Sequence, residues 1–240
     1  MDLAANLKGV RKRIEAACER AGRSPETVEL MAVTKTVPVE TVCAAGELGL
    51  RLFGENRVQE AALKISSCPG NLRWHMIGHL QTNKCREAVR LFSMIQGVDS
   101  LRLANEIQHH AQTLSKTIPI LIEVNVAVES SKFGYKPESL LNELEAINAL
   151  PRLVLHGLMA IPPWTPEPEN TRPYFRRLRE LKSTCEQILG APLPVLSMGM
   201  SGDFEVAIEE GSTLIRIGTA LFGPRAARSK PAKTDSDSIE

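Results

Sequence analysis

One lysine, Lys35, directly follows an apolar run in the segment MAVTKTVPVE, residues 31–40. At the end of a buried strand a lysine is partly desolvated, which makes its neutral amine more available. A neutral amine can attack an aldehyde and form a Schiff base. The segment therefore indicates a covalent site for a carbonyl compound. The alternative is a lysine that pairs with a carboxylate or lies along the surface, which is the more common situation.

Two glycine-containing segments near the end of the chain are candidates for binding an anion. They are SMGMSGD (197–203) and IRIGTALFG (215–223), and a helix is predicted to follow each. Backbone amides at a helix N-terminus attract negative charge. Ser201 and Thr219 add hydroxyl donors, and Gly218 permits close approach of a ligand. The pattern predicts a phosphate site at these three residues, with simple helix capping by Ser201 or Asp203 as the alternative.

Arg216 lies inside the apolar run TLIRIG, where a permanent charge requires a partner. It is two residues from Gly218, so both should lie on the same side of a strand. Its partner could be the nitrogen of an aromatic ring or a carboxylate such as Glu123. An arginine donates to a ring nitrogen without supplying a proton, which leaves the ring a weaker electron sink than one paired with aspartate.

An amine on one side and a phosphate on the other match a phosphorylated aldehyde, and pyridoxal 5′-phosphate (PLP) is the obvious candidate. A phosphosugar isomerase or aldolase that uses Lys35 in a Schiff base would have similar loops. That protein would be colourless, whereas a protein holding PLP is yellow.

The chain must place these residues together, and its apolar runs suggest how. Eight runs read as strands and alternate with helical segments, which implies parallel pairing. About 28 residues per unit is close to the value for a (β/α)8 TIM barrel, with a doubly wound open sheet as the alternative. The strand runs are 29–34, 51–54, 73–78, 93–98, 119–126, 153–159, 194–198 and 213–218. The helical segments are 38–50, 57–66, 80–91, 100–116, 137–149, 169–189 and 203–210.

Polar and glycine-rich residues follow at least six of the eight runs, as in GENRVQE and GHLQTNK. In a barrel these positions meet at the C-terminal ends of the strands, where the chemistry gathers. Ordinary turn composition is the alternative for any single loop. His75 and His79 span a strand end, so their spacing does not indicate a metal site.

Composition excludes several classes of function. A net charge of +1 with 24% charged residues argues against bulk attraction to nucleic acid or to an anionic membrane. No apolar window approaches the length of a transmembrane helix. The five cysteines form no CxxC pair, and their odd number favours a reducing cytoplasm over a secreted disulfide framework.

The predicted domain organisation is one barrel over residues 1–225 and a disordered tail over 226–240, which is small, polar and charged. An N-terminal helix is predicted over 3–20 from the helical spacing of its apolar residues. The start of the chain has no signal-peptide pattern.

Taken in order, several segments resemble those of the pyridoxal phosphate homeostasis proteins, which are alanine-racemase-like barrels of PLP fold type III. The resemblance covers nearly the whole chain up to about residue 225. The segments are AVTKTVP, LFGENRVQE, WHMIGHLQTNK, the KFG of ESSKFGY, GLMAIPP, LSMGMSGD and GSTLIRIGTALFG.

The resemblance implies a site in which Lys35 holds PLP as a Schiff base. It places Asn56 beside the ring and Arg216 opposite the pyridine nitrogen. The remaining residues that it implies are Ser201, Gly218 and Thr219 at the phosphate, Ser197 or Met198 nearby, and Met76, Ile77 and His79 along the cavity wall.

The family is associated with PLP supply and with the balance of amino acids and keto acids, not with efficient catalysis. An open site would let PLP pass to other proteins, including PLP-accepting apoenzymes. Racemases of this fold use a tyrosine from a second domain and a partner subunit, and the resemblance implies neither here, so a monomer is expected. The alternative is a weak amino-acid racemase in which His79 or Tyr174 supplies the second proton.

Overall fold

A computed structural model of the chain describes residues 2–129 and 132–224. Eight parallel strands form a closed barrel in sequence order. The strands are β1 (Glu29–Val33), β2 (Leu52–Glu55), β3 (Arg73–Met76), β4 (Met94–Val98), β5 (Ile118–Glu123), β6 (Leu153–Met159), β7 (Val195–Ser197) and β8 (Leu214–Ile217). The α-helices of the described part are α1 (Leu3–Arg20), α2 (Val39–Glu47), α3 (Val58–Ser67), α4 (Cys85–Leu91), α5 (Leu101–Thr113), α6 (Pro137–Asn148), α7 (Arg172–Leu189), α8 (Phe204–Glu209) and α9 (Thr219–Phe222).

Each of the eight predicted runs overlaps one strand, and β2 and β5 each extend one residue beyond their runs, so the barrel prediction is confirmed. The open-sheet alternative is wrong, because the first and last strands pair directly. Glu29 lies opposite Leu214 and Ala32 lies opposite Ile217. Since all the strands are parallel, their C-terminal ends lie at the same rim of the barrel.

The helices differ from prediction mainly at their starts. The segment predicted as a helix over 80–91 contains a 3-10 turn at Thr82–Lys84, and α4 begins only at Cys85. Similarly, a 3-10 turn at Pro168–Thr171 precedes α7. The four-residue helix α9 lies inside the glycine segment 215–223, after which a helix was predicted, because a single turn is too short to show helical periodicity.

Side chains alternate along the strands between the barrel interior and the surrounding helices. The interior contains two small apolar clusters, one including Met31 and Leu52 and the other including Met94 and Met159. The larger core lies between the barrel and the helices. Gly54 belongs to the interior, where a Cβ atom would lie 2.5 Å from the Met31 sulfur. The barrel is therefore too narrow there for a side chain on β2.

The N-terminal helix α1 covers the outside of the barrel beside α8 and α9. The Asp2 carboxylate accepts from the Ala5 amide and caps the helix. Asn6 Nδ2 donates to the Leu221 carbonyl over 2.9 Å, and the Arg13 guanidinium lies 2.7 Å from the Glu205 carboxylate. The tail predicted over 226–240 lies outside the described residues.

Candidate functional site

A cavity of about 740 Å³ opens at the C-terminal ends of β8, β1 and β2. Four of the residues singled out from the sequence lie on its wall: Lys35, Asn56, Gly218 and Thr219. Lys35 follows β1, Asn56 follows β2, and the other two follow β8. The lysine and the glycine turn therefore share one rim of the barrel, as the sequence predicted.

The turn that carries Lys35 is held in a strained conformation. Thr36 has a φ of 65°, a left-handed value that a β-branched residue rarely adopts. Its amide donates to Glu60 Oε1 over 2.5 Å, and the Val37 amide donates to the Thr34 carbonyl over 2.9 Å. These bonds fix the backbone on the C-terminal side of Lys35.

A buried ion pair lies directly behind this turn. Lys64 Nζ is 2.7 Å from Glu55 Oε1, 2.7 Å from Glu60 Oε1 and 2.6 Å from the Thr34 carbonyl. Burial raises the pKa of Glu55, although hydrogen bonds from Lys64 and Thr34 oppose the rise. Because Glu55 is fully buried, removal of the lysine would leave its charge without compensation.

Asn56 presents an unsatisfied acceptor beside the lysine. Its side-chain Oδ1 is buried and has no hydrogen-bond partner among the described residues. The backbone of Asn56 is closely packed against Gly78, where a Cβ atom would lie 2.5 Å from the Asn56 carbonyl oxygen. An orphaned polar atom in a cavity wall is a place where a ligand donor fits.

The glycine turn after β8 is bonded to Ser201. The Ser201 hydroxyl oxygen accepts from the amides of Gly218 and Ala220, both over 3.2 Å. The serine therefore caps the turn after β8 and not the helix α8 that follows it, and Asp203 at the start of α8 makes no side-chain capping bond either. A hydroxyl that accepts two N–H bonds still has its own proton to donate. Ser201 can therefore cap the turn and bond an anion at the same time.

Arg216 lies inside the barrel, 4% exposed. Its Nη1 donates to the carbonyl oxygen of Ser197 over 2.8 Å and to the hydroxyl of the same residue over 2.7 Å. Its Nη2 donates to the Ala160 carbonyl over 2.9 Å. Burial lowers the pKa of Arg216 to about 10, with the carboxylates of Glu123 and Asp203 opposing the change. The guanidinium therefore remains charged at neutral pH.

A chain of hydrogen bonds crosses the barrel from this arginine. The Ser197 hydroxyl donates to Gln96 Oε1 over 2.8 Å, and Gln96 Nε2 lies 2.9 Å from His75 Nδ1. An amide nitrogen only donates, so His75 accepts at Nδ1 and carries its proton on Nε2. Burial lowers the pKa of His75 to about 3, which keeps the ring neutral. In this series of hydrogen bonds, each donor therefore points away from Arg216.

Glu123 ends β5 and is the carboxylate that the sequence suggested as a partner for Arg216. Burial raises its pKa to about 7; Asp99 adds to the rise and Arg216 opposes it. The two residues interact electrostatically, while the direct hydrogen bonds of Arg216 go to Ser197 and Ala160.

Three residues predicted along the wall (Met76, Ile77 and His79) and Met198, predicted near the phosphate, lie elsewhere. Met76 and Met198 are buried in the core between barrel and helices, because strand alternation directs both outward. Ile77 faces the barrel interior with Met31. His79 lines a separate cavity of about 400 Å³, where its Nδ1 is 3.0 Å from Asp99 Oδ2 and its ring stacks on Phe133 at 3.8 Å.

The sequence did not single out three further wall residues, Thr41, Glu60 and Phe222, whereas Arg57 belongs to the polar segment GENRVQE noted after the second strand. Lys64 was also missed, although a signal existed. Along α3 it follows Val58 and Ala61 at intervals of three residues on the buried face. A charge at such a position requires a buried partner.

No cluster of three or more metal-ligating side chains occurs within residues 2–129 and 132–224. In the same ranges, none of the helices combines the length and the apolar character needed to cross a bilayer.

Comparison with known proteins places the chain in a family. A model described as the alanine racemase N-terminal domain matches residues 5–226. A relative from Aquifex aeolicus, named pyridoxal phosphate homeostasis protein, is 46% identical over 226 residues, which cover 94% of this chain and 99% of the relative. The Escherichia coli K12 protein of the same name is 40% identical, with 93% and 97% covered. The chain belongs to the pyridoxal phosphate homeostasis protein family.

Solved structures agree with this family assignment. PipY of Synechococcus elongatus PCC7942 without PLP is 35% identical, with a TM-score of 0.84 over 92% of this chain and all of that one. PipY with PLP bound is likewise 35% identical, with a TM-score of 0.81 over 92% of this chain and all of that one. An alanine racemase of Clostridium difficile 630, 16% identical with a TM-score of 0.71, shares the fold over 95% of this chain and 58% of that one.

Proposed function

We propose that this protein binds PLP and takes part in intracellular PLP homeostasis and in the balance of amino acids and keto acids. The observation that carries the proposal is one cavity whose wall contains Lys35, the orphaned amide oxygen of Asn56 and the turn at Gly218 and Thr219. The names of the relatives and the PLP-bound structure of PipY support it.

In this proposal each group of residues has a distinct task. Lys35 Nζ binds the aldehyde carbon of PLP covalently, and the strained turn keeps the amine directed into the cavity. Ser201, Gly218 and Thr219 donate to the phosphate. Asn56 lies beside the ring near its 3-hydroxyl, which fits an acceptor that lacks a protein donor.

Arg216 faces the pyridine nitrogen as a donor, with Ser197 beneath it. When bound, PLP supplies an electron-withdrawing ring, and a charged arginine limits that withdrawal because it gives up no proton to the nitrogen. This arrangement suits a protein that carries PLP better than one that stabilises a carbanion.

A weak amino-acid racemase is the second candidate, and the positions of its proposed acids disfavour it. His79 lines a different cavity and pairs with Asp99. Tyr174 packs against the core outside the barrel. Single-enantiomer amino acids in deuterated water test this function: label at the α-carbon that disappears in Lys35→Ala would favour the racemase.

The carrier function has a direct test. The purified protein is expected to be yellow, and borohydride reduction followed by peptide mapping is expected to find the pyridoxyl group on Lys35. Lys35→Ala should lose the absorbance, while the control Lys8→Ala, at an exposed position on α1, should keep it. A pyridoxyl group on another lysine would contradict the site.

We also propose that the protein is a cytoplasmic monomer that hands PLP to apoenzymes. Five free cysteines suit a reducing compartment. Light scattering of the purified protein tests the monomer. Transfer is tested by mixing the loaded protein with a PLP-dependent apoenzyme and following recovery of that enzyme's activity against an equal concentration of free PLP.

A further inference from the structure

Two cysteines far apart in sequence meet on the outside of the barrel. The sulfur of Cys43 on α2 lies 3.2 Å from the sulfur of Cys68, which directly follows α3. Both residues are partly exposed, whereas Cys18, Cys85 and Cys185 are buried. A disulfide needs a separation of about 2.05 Å, so an approach of roughly 1 Å brings the two sulfurs to bonding distance.

We propose that Cys43 and Cys68 form a reversible dithiol–disulfide site, oxidised by low-molecular-weight disulfides such as glutathione disulfide, which tethers α2 to the end of α3. The proposal is independent of PLP binding, because neither sulfur belongs to the wall of the Lys35 cavity.

The reaction balances as two successive exchanges. The Cys43 thiolate attacks one sulfur of glutathione disulfide, and one glutathione leaves as thiolate. The Cys68 sulfur then attacks Cys43 Sγ and displaces the second glutathione. Two protein thiols are oxidised, one small disulfide is reduced, and the two protein protons end on the two glutathione molecules.

The surroundings of the pair favour this order. Burial and the neighbouring Cys43 raise the pKa of Cys68 to about 12, and Lys64 opposes the rise. Once Cys43 carries glutathione, the thiol of Cys43 no longer forms a hydrogen bond with Cys68 and no longer carries a charge beside it. Lys64 still lies near Cys68 and favours its thiolate. The first exchange therefore makes the second sulfur a better nucleophile.

The test uses the native full-length protein incubated in glutathione buffers of increasing oxidised fraction, followed by alkylation and peptide mapping without reduction. Trypsin separates the two cysteines, because it cleaves after Lys35, Arg51, Lys64 and Arg73. Cys43 lies in peptide 36–51 and Cys68 in peptide 65–73. Linkage of these two peptides, reversed by excess reduced glutathione, is the expected result.

A relocated thiol provides the matched control. In the double variant Cys68→Ser with Ser66→Cys the number of thiols is unchanged, but the second thiol is moved to an exposed position two residues before Cys68. The wild type should crosslink at least about tenfold faster, because its two sulfurs already lie in contact and need little reorganisation to react. Equal rates would overturn the proposal.

Other outcomes are equally decisive. Glutathione adducts on both cysteines without linkage would overturn the proposal, as would linkage that includes Cys18, Cys85 or Cys185 at the same rate. The melting temperature of the oxidised protein should rise by several degrees, because the bond closes a long loop. A fall would show that the bond does not fit the native fold.

Discussion

Arg216 and Ser197 are joined twice, because one guanidinium nitrogen donates to both the carbonyl oxygen at 2.8 Å and the hydroxyl oxygen at 2.7 Å. The other terminal nitrogen donates to Ala160, which follows β6. The guanidinium is thus fixed by two neighbouring strand ends. Its orientation is set by the protein before any ligand arrives.

Replacement of Ser197 by alanine should weaken this arrangement. The change removes the hydroxyl that accepts from Arg216 and donates to Gln96, and it leaves the Ser197 carbonyl in place, so we expect a loss of about 1–3 kcal/mol in the free energy of unfolding. Urea unfolding measures it. The control Ser66→Ala, at an exposed position on α3, should change stability by less than about 0.5 kcal/mol. The absorbance of bound PLP should also shift in Ser197→Ala, and an unchanged spectrum would argue against a positioning role.

Arg216→Gln should retain PLP on Lys35 with an altered absorbance spectrum. The amide still reaches as a donor, but the positive charge is lost, so we expect PLP affinity to fall by about tenfold. Spectral titration and borohydride mapping measure both effects. A variant that binds PLP with the wild-type spectrum would show that the arginine does not face the ring.

Glu123→Gln should change the pH dependence of stability. The pKa of Glu123 is raised to about 7 from an ordinary 4.5, so its ionisation disfavours the folded state. The stability associated with the neutral form is complete below pH 4.5 and is lost as the pH rises to 7. In protein stripped of PLP, the glutamine variant should match the wild type at low pH and exceed it above neutrality by roughly 3 kcal/mol.

Urea unfolding at both ends of this pH window measures the effect. The exposed Glu145 on α6 offers the control, and Glu145→Gln should leave the pH profile of the wild type unchanged. A Glu123→Gln profile parallel to that of the wild type would contradict the raised pKa.

Lys64→Met should be strongly destabilising, by about 3–5 kcal/mol, because it leaves Glu55 buried without its cation. Adding Glu55→Gln to the same chain should recover much of the loss. Lys182→Met is a matched control, since Lys182 and Glu186 form a more accessible pair at the same spacing and distance as Lys64 and Glu60. There we expect no more than about 1 kcal/mol.

The barrel was predictable because eight short apolar runs alternate with segments that have helical spacing. The direction of individual side chains was not. Met76 and Ile77 are adjacent in an apolar run that is buried on both faces, so polarity gives no sign of which one faces inward. Register with the neighbouring strands decides it, and register is a tertiary property.

The candidate ligand-binding residues at the rim were easier to predict than the hydrogen bonds inside the barrel. Lys35 and Gly218 are conspicuous from their local context, whereas the contact of Gln96 with Ser197 joins residues 101 positions apart. The pairing of Cys43 with Cys68 was likewise invisible, because only the packing of α2 beside α3 brings them together. Polar networks inside a barrel form only when the barrel closes and brings distant strands together, so no local sequence pattern indicates them.

The shortness of β7 has a consequence for how the barrel opens. Its register with β8 contains a single aligned pair, Ser197 with Leu214, which is fewer than at any other boundary between neighbouring strands. Two side chains add hydrogen bonds across this boundary. The hydroxyl of Ser212 donates to the Met198 carbonyl over 2.8 Å, and Arg216 donates to the Ser197 carbonyl inside the barrel. In native-state hydrogen exchange, the backbone amides between β7 and β8 should therefore exchange before those at the other strand boundaries. Arg216, which we propose faces the ligand, then also stabilises this boundary, and PLP binding should slow its opening.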